Sequence, residues 1–147
     1  MPIPPFNESG LLPEGIHDCS LAEVRSRFGA FQGTDRRPKL FQHLEGFINA
    51  VRKSGKIFTI FINGSFVTVR PAPNDIDLIL LLPEDWNFRA ELGPDDYNLL
   101  SKSRVRRRWN IDILVAKVDT QELAEYMDLF QRIRYGTDRK GILRVRL

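Results

Sequence analysis

The sequence predicts a mixed α/β domain, a small sheet backed by helices, and three observations carry that reading. First, the runs Lys56–Asn63, Ile76–Leu82 and Asn110–Ala116 are apolar, β-rich and bounded by turn residues, as buried strands are. Second, segments with apolar residues at helical spacing lie between and around them. Third, 147 residues with 42% apolar and 28% charged side chains suit one core and would be cramped as two domains.

Residues 1–19 hold four of the nine prolines and no clear period, which predicts an extended N-terminal arm, with the domain proper spanning 20–147. Gly10 to Ile16 carries enough apolar residues to lie against the body. Ser20-Leu21-Ala22-Glu23 matches a capping box and opens a first helix carrying Leu21, Val24 and Phe28 and stopping at Gly29. Residues 30–37 read as a polar loop. A second helix is expected from about Pro38 to Ser54, with Leu40, Phe41, Leu44, Phe47, Ile48 and Val51 in one stripe and Gly55 as its C-terminal cap. His43 sits beside that stripe and reads as a helix-surface residue.

After the first strand and Gly64-Ser65, Phe66–Arg70 reads as a short strand or an extended loop, and Pro71–Asn74 as a turn. The second strand stops at Pro83, and residues 84–93 give no clear signal. Gly93-Pro94-Asp95-Asp96 predicts a helix over about 94–102, with proline and acids in its first turn. Ser103 to Trp109 is a basic stretch. The third strand places Ile111, Ile113 and Val115 on one face and Asp112 and Leu114 on the other. A last helix opens at Asp119, carries Leu123, Met127, Phe130 and Ile133, and ends at Gly136; Ile142–Leu147 reads as an edge or terminal strand.

Several function classes are disfavoured at once. With Cys19 as the sole cysteine, no internal disulfide forms and a cysteine-based zinc site is not expected, so a cytoplasmic setting fits best. The N-terminus lacks the basic and apolar regions of a secretory signal, and the longest apolar run, Leu78–Leu82, is far too short to span a bilayer. A net charge of +3 is a mild bias towards anionic partners such as nucleotides or RNA.

Three acids stand in apolar strands: Asp75, Asp77 and Asp112. Positions i and i+2 of a strand share a face, so Asp75 and Asp77 should point together. Two like charges at the mouth of a buried strand repel each other and resist desolvation, and a divalent cation offsets both costs. Oxygen donors in this number suit magnesium, which shares its coordination shell with waters and phosphates. Gly64-Ser65 is complementary: glycine lets backbone N–H groups approach a phosphate, and the hydroxyl adds a donor. No Walker loop or dinucleotide glycine fingerprint occurs.

The string Gly64-Ser65, nine residues, Asp75-Ile76-Asp77-Leu78 resembles the signature of the DNA polymerase beta-type nucleotidyltransferase superfamily, especially its small bacterial members. Asn110-Ile111-Asp112-Ile113 has the form of that family's later-strand third carboxylate, and the resemblance covers roughly residues 36–134. Phe66-Val67-Thr68 and Asn74 depart from the small residue, arginine, glycine and serine common there. The N-terminal Gly10–Ile16 stretch and Lys140–Leu143 also look like an uncharacterised bacterial branch.

The resemblance implies a nucleotidyltransferase-like fold and a magnesium-dependent enzyme that moves a nucleoside monophosphate from a nucleoside triphosphate such as ATP to an acceptor. Asp75, Asp77 and Asp112 would be the catalytic metal ligands, for one or two magnesium ions with manganese able to substitute, and Gly64 and Ser65 would hold phosphates. The acceptor would be a protein, an RNA or a small molecule, and a partner protein of a toxin–antitoxin or defence pair is implied in the same way. Arg70, Arg139 and Lys140 are further phosphate candidates. Arg104, Arg106, Arg107 and Arg108 form either a solvated loop or an arm towards triphosphate or RNA, with Trp109 available for stacking. Three other readings stay open: the acids paired structurally with nearby arginines; a catalytically silent nucleotide-sensing or protein-binding module of the same fold, favoured by the altered loop after Gly64-Ser65; and an RNA-binding adaptor using the basic run.

Overall fold

The computed structural model describes residues 3–57, 59–87, 93–132 and 139–147. In chain order its elements are β1 (Gly15–Cys19), α1 (Leu21–Phe28), α2 (Arg36–Ser54), β2 (Thr59–Asn63), a 3-10 turn (Ser65–Val67), β3 (Ile76–Leu82), α3 (Pro94–Leu100), α4 (Lys102–Trp109), β4 (Ile111–Lys117), α5 (Gln121–Gln131) and β5 (Gly141–Arg146). The strands form one sheet in the order β1-β5-β2-β3-β4. β1 and β5 are parallel, β5 and β2 antiparallel, β2 and β3 antiparallel, and β3 and β4 parallel. The mixed α/β architecture expected from the sequence is therefore present.

Strand alternation assigns the two faces. Ile60, Ile62, Ile76, Leu78, Leu80, Ile111, Ile113, Leu143 and Val145 point into the main core beneath α1, α2 and α4. Phe61, Ile79 and Ile142 point to the other face, where Phe130, Leu123 and Met127 of α5 cover them. The α2 stripe is buried throughout, from Leu40 to Val51, and Phe47 meets Trp109 edge-on with ring centroids 5.2 Å apart. The capping box at Ser20 forms, with Glu23 N donating to Ser20 Oγ at 3.1 Å, and Gly55 caps α2 at φ +68°.

Several expectations need correction. Residues 15–19, the end of the expected extended arm, form the edge strand β1, and β5, expected as an edge or terminal strand, is the last strand of the chain but is paired on both sides. An edge strand that pairs through its backbone needs only weak alternation, which is why Gly15–Cys19 carried no strand signal. α2 begins at Arg36 rather than Pro38, because the first turn of a helix has no internal use for its N–H groups and accepts proline there. Phe66–Arg70 is neither strand nor extended loop at its start, since the 3-10 turn occupies Ser65–Val67. β2 starts at Thr59; Phe58 lies outside the described residues.

The basic stretch is no loop. α3 ends at Leu100, Ser101 accepts from Arg104 N as the cap of α4, and Asn110 closes that helix in the left-handed region at φ +56°. Three arginines in its last turn complement the negative end of its dipole. β4 runs one residue later than expected, and Thr120, not Asp119, caps α5 by accepting from Leu123 N. The expectations for Ile133 and Gly136 lie outside the described residues. Among those residues no helix is long and apolar enough to cross a membrane.

Candidate functional site

Sheet register gathers the strand acids. Asp77 of β3 lies opposite Asn63 of β2 and opposite Asp112 of β4, so Asn63, Asp77 and Asp112 form one row across three strands. The row lies on the α5 side of the sheet, since the neighbouring Ile62, Leu78 and Ile113 fill the main core. Asp75 precedes β3 by one residue and acts electrostatically on Asp77. Asn110 Nδ2 donates to Asn74 O at 3.0 Å, tying the start of β4 to the segment that carries Asp75.

Asp77 carries a strongly raised pKa. Burial, and then the charges of Asp75 and Asp112, push its pKa from 3.8 up to about 6, against the weaker pull of Lys140 and Arg106. Lys140, read from sequence as a phosphate candidate, faces this row, and its own pKa is lowered by burial. Asn63 is 6% exposed, and its Oδ1 accepts from no described group. Within the row, Asn63 Oδ1 therefore lacks a donor, and among the described residues no ion pair is made by Asp77 itself.

Gly64 abuts the same carboxylate. Its backbone has φ +84° and ψ −169°, a region almost reserved for glycine, and a Cβ there would stand 2.1 Å from Asp77 Oδ2. Ser65 begins the 3-10 turn, and its carbonyl accepts from Thr68 N at 3.2 Å and Thr68 Oγ1 at 2.7 Å. Gly64 and Ser65 therefore stand where the sequence put them, at the end of β2 beside the acids.

A residue the sequence reading missed holds this turn. Arg37, placed by that reading in a polar loop, is fully buried in the first turn of α2. Its Nη1 donates to Phe28 O at 3.1 Å and Phe66 O at 2.6 Å, and its Nη2 to Thr68 O at 2.8 Å and to Arg70 O. One guanidinium thus ties the end of α1 to the turn and to the chain that follows it. Arg37 stands three, four and seven residues before Leu40, Phe41 and Leu44, so its place on the apolar stripe was the available signal. Arg70 reaches this network only through its carbonyl, with its side chain exposed, and Arg139 pairs with Glu14 and Asp128.

The helix α4 divides its cations between two surfaces. Arg106 Nη1 contacts Asp75 Oδ2 at 2.8 Å, and Lys102 Nζ stands 3.8 Å from Asp112 Oδ1, on the acidic side. Arg104, Arg107 and Arg108 line a concavity against α3, and Arg108 also lines one against α2. Trp109 is not available for stacking: it is 8% exposed and packed on Phe47.

The acids supply oxygen donors of the kind magnesium takes, and the crowding at Asp77 is what a cation would relieve. With Asp75 and Asp112 engaged by Arg106 and Lys102, however, no group of three or more His, Cys, Asp or Glu side chains among the described residues is arranged to hold a metal ion. Holding one requires these pairs to open.

Searches of curated proteins and of solved structures return no match, so the likeness to nucleotidyltransferases rests on the residues described above. A model of a family of unknown function, DUF6932, matches residues 4–146. This chain, with its row of strand carboxylates beside a glycine turn, belongs to that family.

Proposed function

We propose that this protein is a magnesium-dependent nucleotidyltransferase. The observation that carries the proposal is the row Asn63–Asp77–Asp112 with Asp75 at its head, built against a glycine whose missing Cβ leaves room for the Asp77 carboxylate. Asp75, Asp77 and Asp112 would hold magnesium, which when bound neutralises the triphosphate and the departing pyrophosphate. Gly64 and Ser65 offer N–H groups to the outer phosphates, held in place by Arg37. Lys140 adds positive charge beside Asp77. Asp112, the exposed end of the row, orients the acceptor hydroxyl and takes its proton. The acceptor oxygen forms a bond to the α-phosphorus as the bond from that phosphorus to the β-phosphate oxygen breaks, and pyrophosphate leaves.

A chain with a single cysteine makes no internal disulfide, which fits a reducing cytoplasm as the proposed setting; burial, and then Glu23 and Asp18, push the pKa of that thiol up to about 12, so it stays protonated.

Calorimetry with each of the four nucleoside triphosphates, with and without magnesium, tests the proposal. Magnesium-dependent binding that is lost in Asp75→Asn/Asp77→Asn supports it and justifies a radiolabel screen of protein, RNA and small-molecule acceptors. A folded wild type that binds no triphosphate overturns it. The ion pairs Arg106–Asp75 and Lys102–Asp112 favour a second reading, a catalytically silent nucleotide-sensing or protein-binding module. That reading expects triphosphate binding indifferent to magnesium and to the double substitution.

A further inference from the structure

On the opposite side of α4 from the acids, two adjoining cavities form one groove between α2, α3 and α4. One of about 400 Å³ is lined by Asn49 and Lys53 of α2, and one of about 360 Å³ by Arg104 and Arg107 of α4; both share Asn98, Arg108 and Trp109. Neither lining contains an acid, and among the described residues Lys53, Arg104, Arg107 and Arg108 make no ion pair. Four unneutralised cations at one concavity concentrate a positive field in a protein of net charge only +3.

Two of these cations are held in place before any ligand arrives. Arg104 lies 4.7 Å from the centroid of the Tyr97 ring and donates to Asn98 Oδ1 at 2.7 Å. Arg108 lies 4.9 Å from the centroid of the Trp109 ring, whose indole closes the floor of the groove. Arg104 and Arg108 are one helical turn apart, about 6 Å along the axis, with Arg107 beside them. Aromatic and amide partners that orient a guanidinium reduce the entropy lost when it grips an anion. Tyr97, 47% exposed, precedes the lining residue Asn98 and carries Arg104 against its ring, so it sets an aromatic ring of the kind on which a base stacks next to the cations.

We infer that this groove binds single-stranded nucleic acid, with Arg104, Arg107, Arg108 and Lys53 on successive phosphates and Tyr97 stacking a base. The inference is independent of whether the carboxylate row is catalytic. A positively charged groove with an adjoining aromatic platform is the general form of sequence-tolerant single-strand binding. The stacking residue is Tyr97, which the pattern of the basic run alone did not reveal.

Fluorescence anisotropy of labelled single-stranded 12-mers, one RNA and one DNA, titrated at several salt concentrations, tests it. Wild type should bind one or both. Arg107→Ala/Arg108→Ala should weaken binding at least tenfold and flatten the slope of log K against log salt by about 1.4, two contacts at about 0.7 each. Tyr97→Ala should weaken binding about tenfold and leave that slope unchanged, a split that loss of bulk charge cannot produce. Arg36→Ala/Arg146→Ala, which removes equal charge from exposed positions off the groove, should stay within twofold of wild type. Thermal melts of each variant exclude misfolding. No binding of either strand by folded wild type overturns the inference. So does equal weakening by the control pair, and so does equal binding of a labelled oligoglutamate.

Discussion

Replacing Asp77 by asparagine should make the protein more stable at neutral pH. Its folded-state pKa of about 6 exceeds its ordinary value of 3.8, so the folded chain binds this proton more tightly than the unfolded chain does. Below about pH 4 both states are protonated and Asp77 costs nothing; between about 4 and 6 the unfolded state ionises first; above about 6 both are ionised and the cost is complete. Stability therefore falls as pH rises through this window. The displacement corresponds to about 3 kcal/mol at 1.36 kcal/mol for each pKa unit. Asp77 retains some access to water, and screening reduces the effect to about 1–2 kcal/mol. Lys140 works in the other direction, since it loses a counter-charge in the variant. The new amide offers a donor across the strand pair to Asn63, whose Oδ1 lacks one.

Urea unfolding from pH 3.5 to 8 with EDTA present measures this directly. Wild type should lose about 1–2 kcal/mol between pH 4 and 6, and Asp77→Asn should not, so the two curves should coincide near pH 4 and separate above 6. Asp18, Asp35 and Asp128 have pKa values held below the ordinary value by Arg144, Lys39 and Arg139, so they act below this window, where stability is lost as the pH falls. A variant less stable than wild type at pH 7.5 would refute the reasoning, because the ionised carboxylate would then be a net structural asset held by Lys140. If the acids hold magnesium, adding the ion at pH 7.5 should stabilise wild type and leave the variant unmoved.

Other substitutions probe the supports of the site. Gly64→Ala should cost about 2–3 kcal/mol in urea unfolding, from a backbone region barred to alanine and a Cβ driven into the Asp77 carboxylate; a loss under about 0.5 kcal/mol would show that the turn relaxes freely. Arg37→Met should cost about 3–5 kcal/mol by stripping donors from four carbonyls, and hydrogen exchange around residues 66–70 should accelerate more than in the centre of β3. Arg106→Ala should change stability by less than about 0.5 kcal/mol, because its pair with Asp75 is half open to solvent, while magnesium affinity measured by calorimetry rises several-fold. Unchanged or weaker magnesium binding in that variant would show that Arg106 does not compete for Asp75.

The parts of the fold that were legible are those where local pattern and tertiary role agree. The apolar runs of β3 and β4, the stripe of α2 and the Ser20 capping box each state their structure within a few residues, and strand parity alone put Asp112 on the face opposite Ile111 and Ile113. β1 was illegible because its pairing with β5 joins residues more than a hundred positions apart, as in Ile16 with Ile142. Sheet order was illegible for the same reason: nothing local says that β5 inserts between β1 and β2.

Arg37 and α4 show a different failure, in which charge outweighed spacing. Val105 and Trp109 are four apart, with Ser101 and Asn110 at the ends to cap them, so the basic run carried its own helical signature. Reading its four arginines as one patch hid the consequence of that helix, because residues 102 and 106 emerge on one side and 104, 107 and 108 on another. The same sequence segment therefore neutralises the acids and builds the cationic groove. Arg37 makes the complementary point. An arginine in an apolar stripe needs acceptors for its donors, and the end of α1 and a nearby irregular segment supply four carbonyls to its two Nη groups without any carboxylate, leaving only Nε unmet. The turn after Gly64 directs the carbonyls of Phe66, Thr68 and Arg70 at this guanidinium, a contact with another element that no reading of the loop alone could supply.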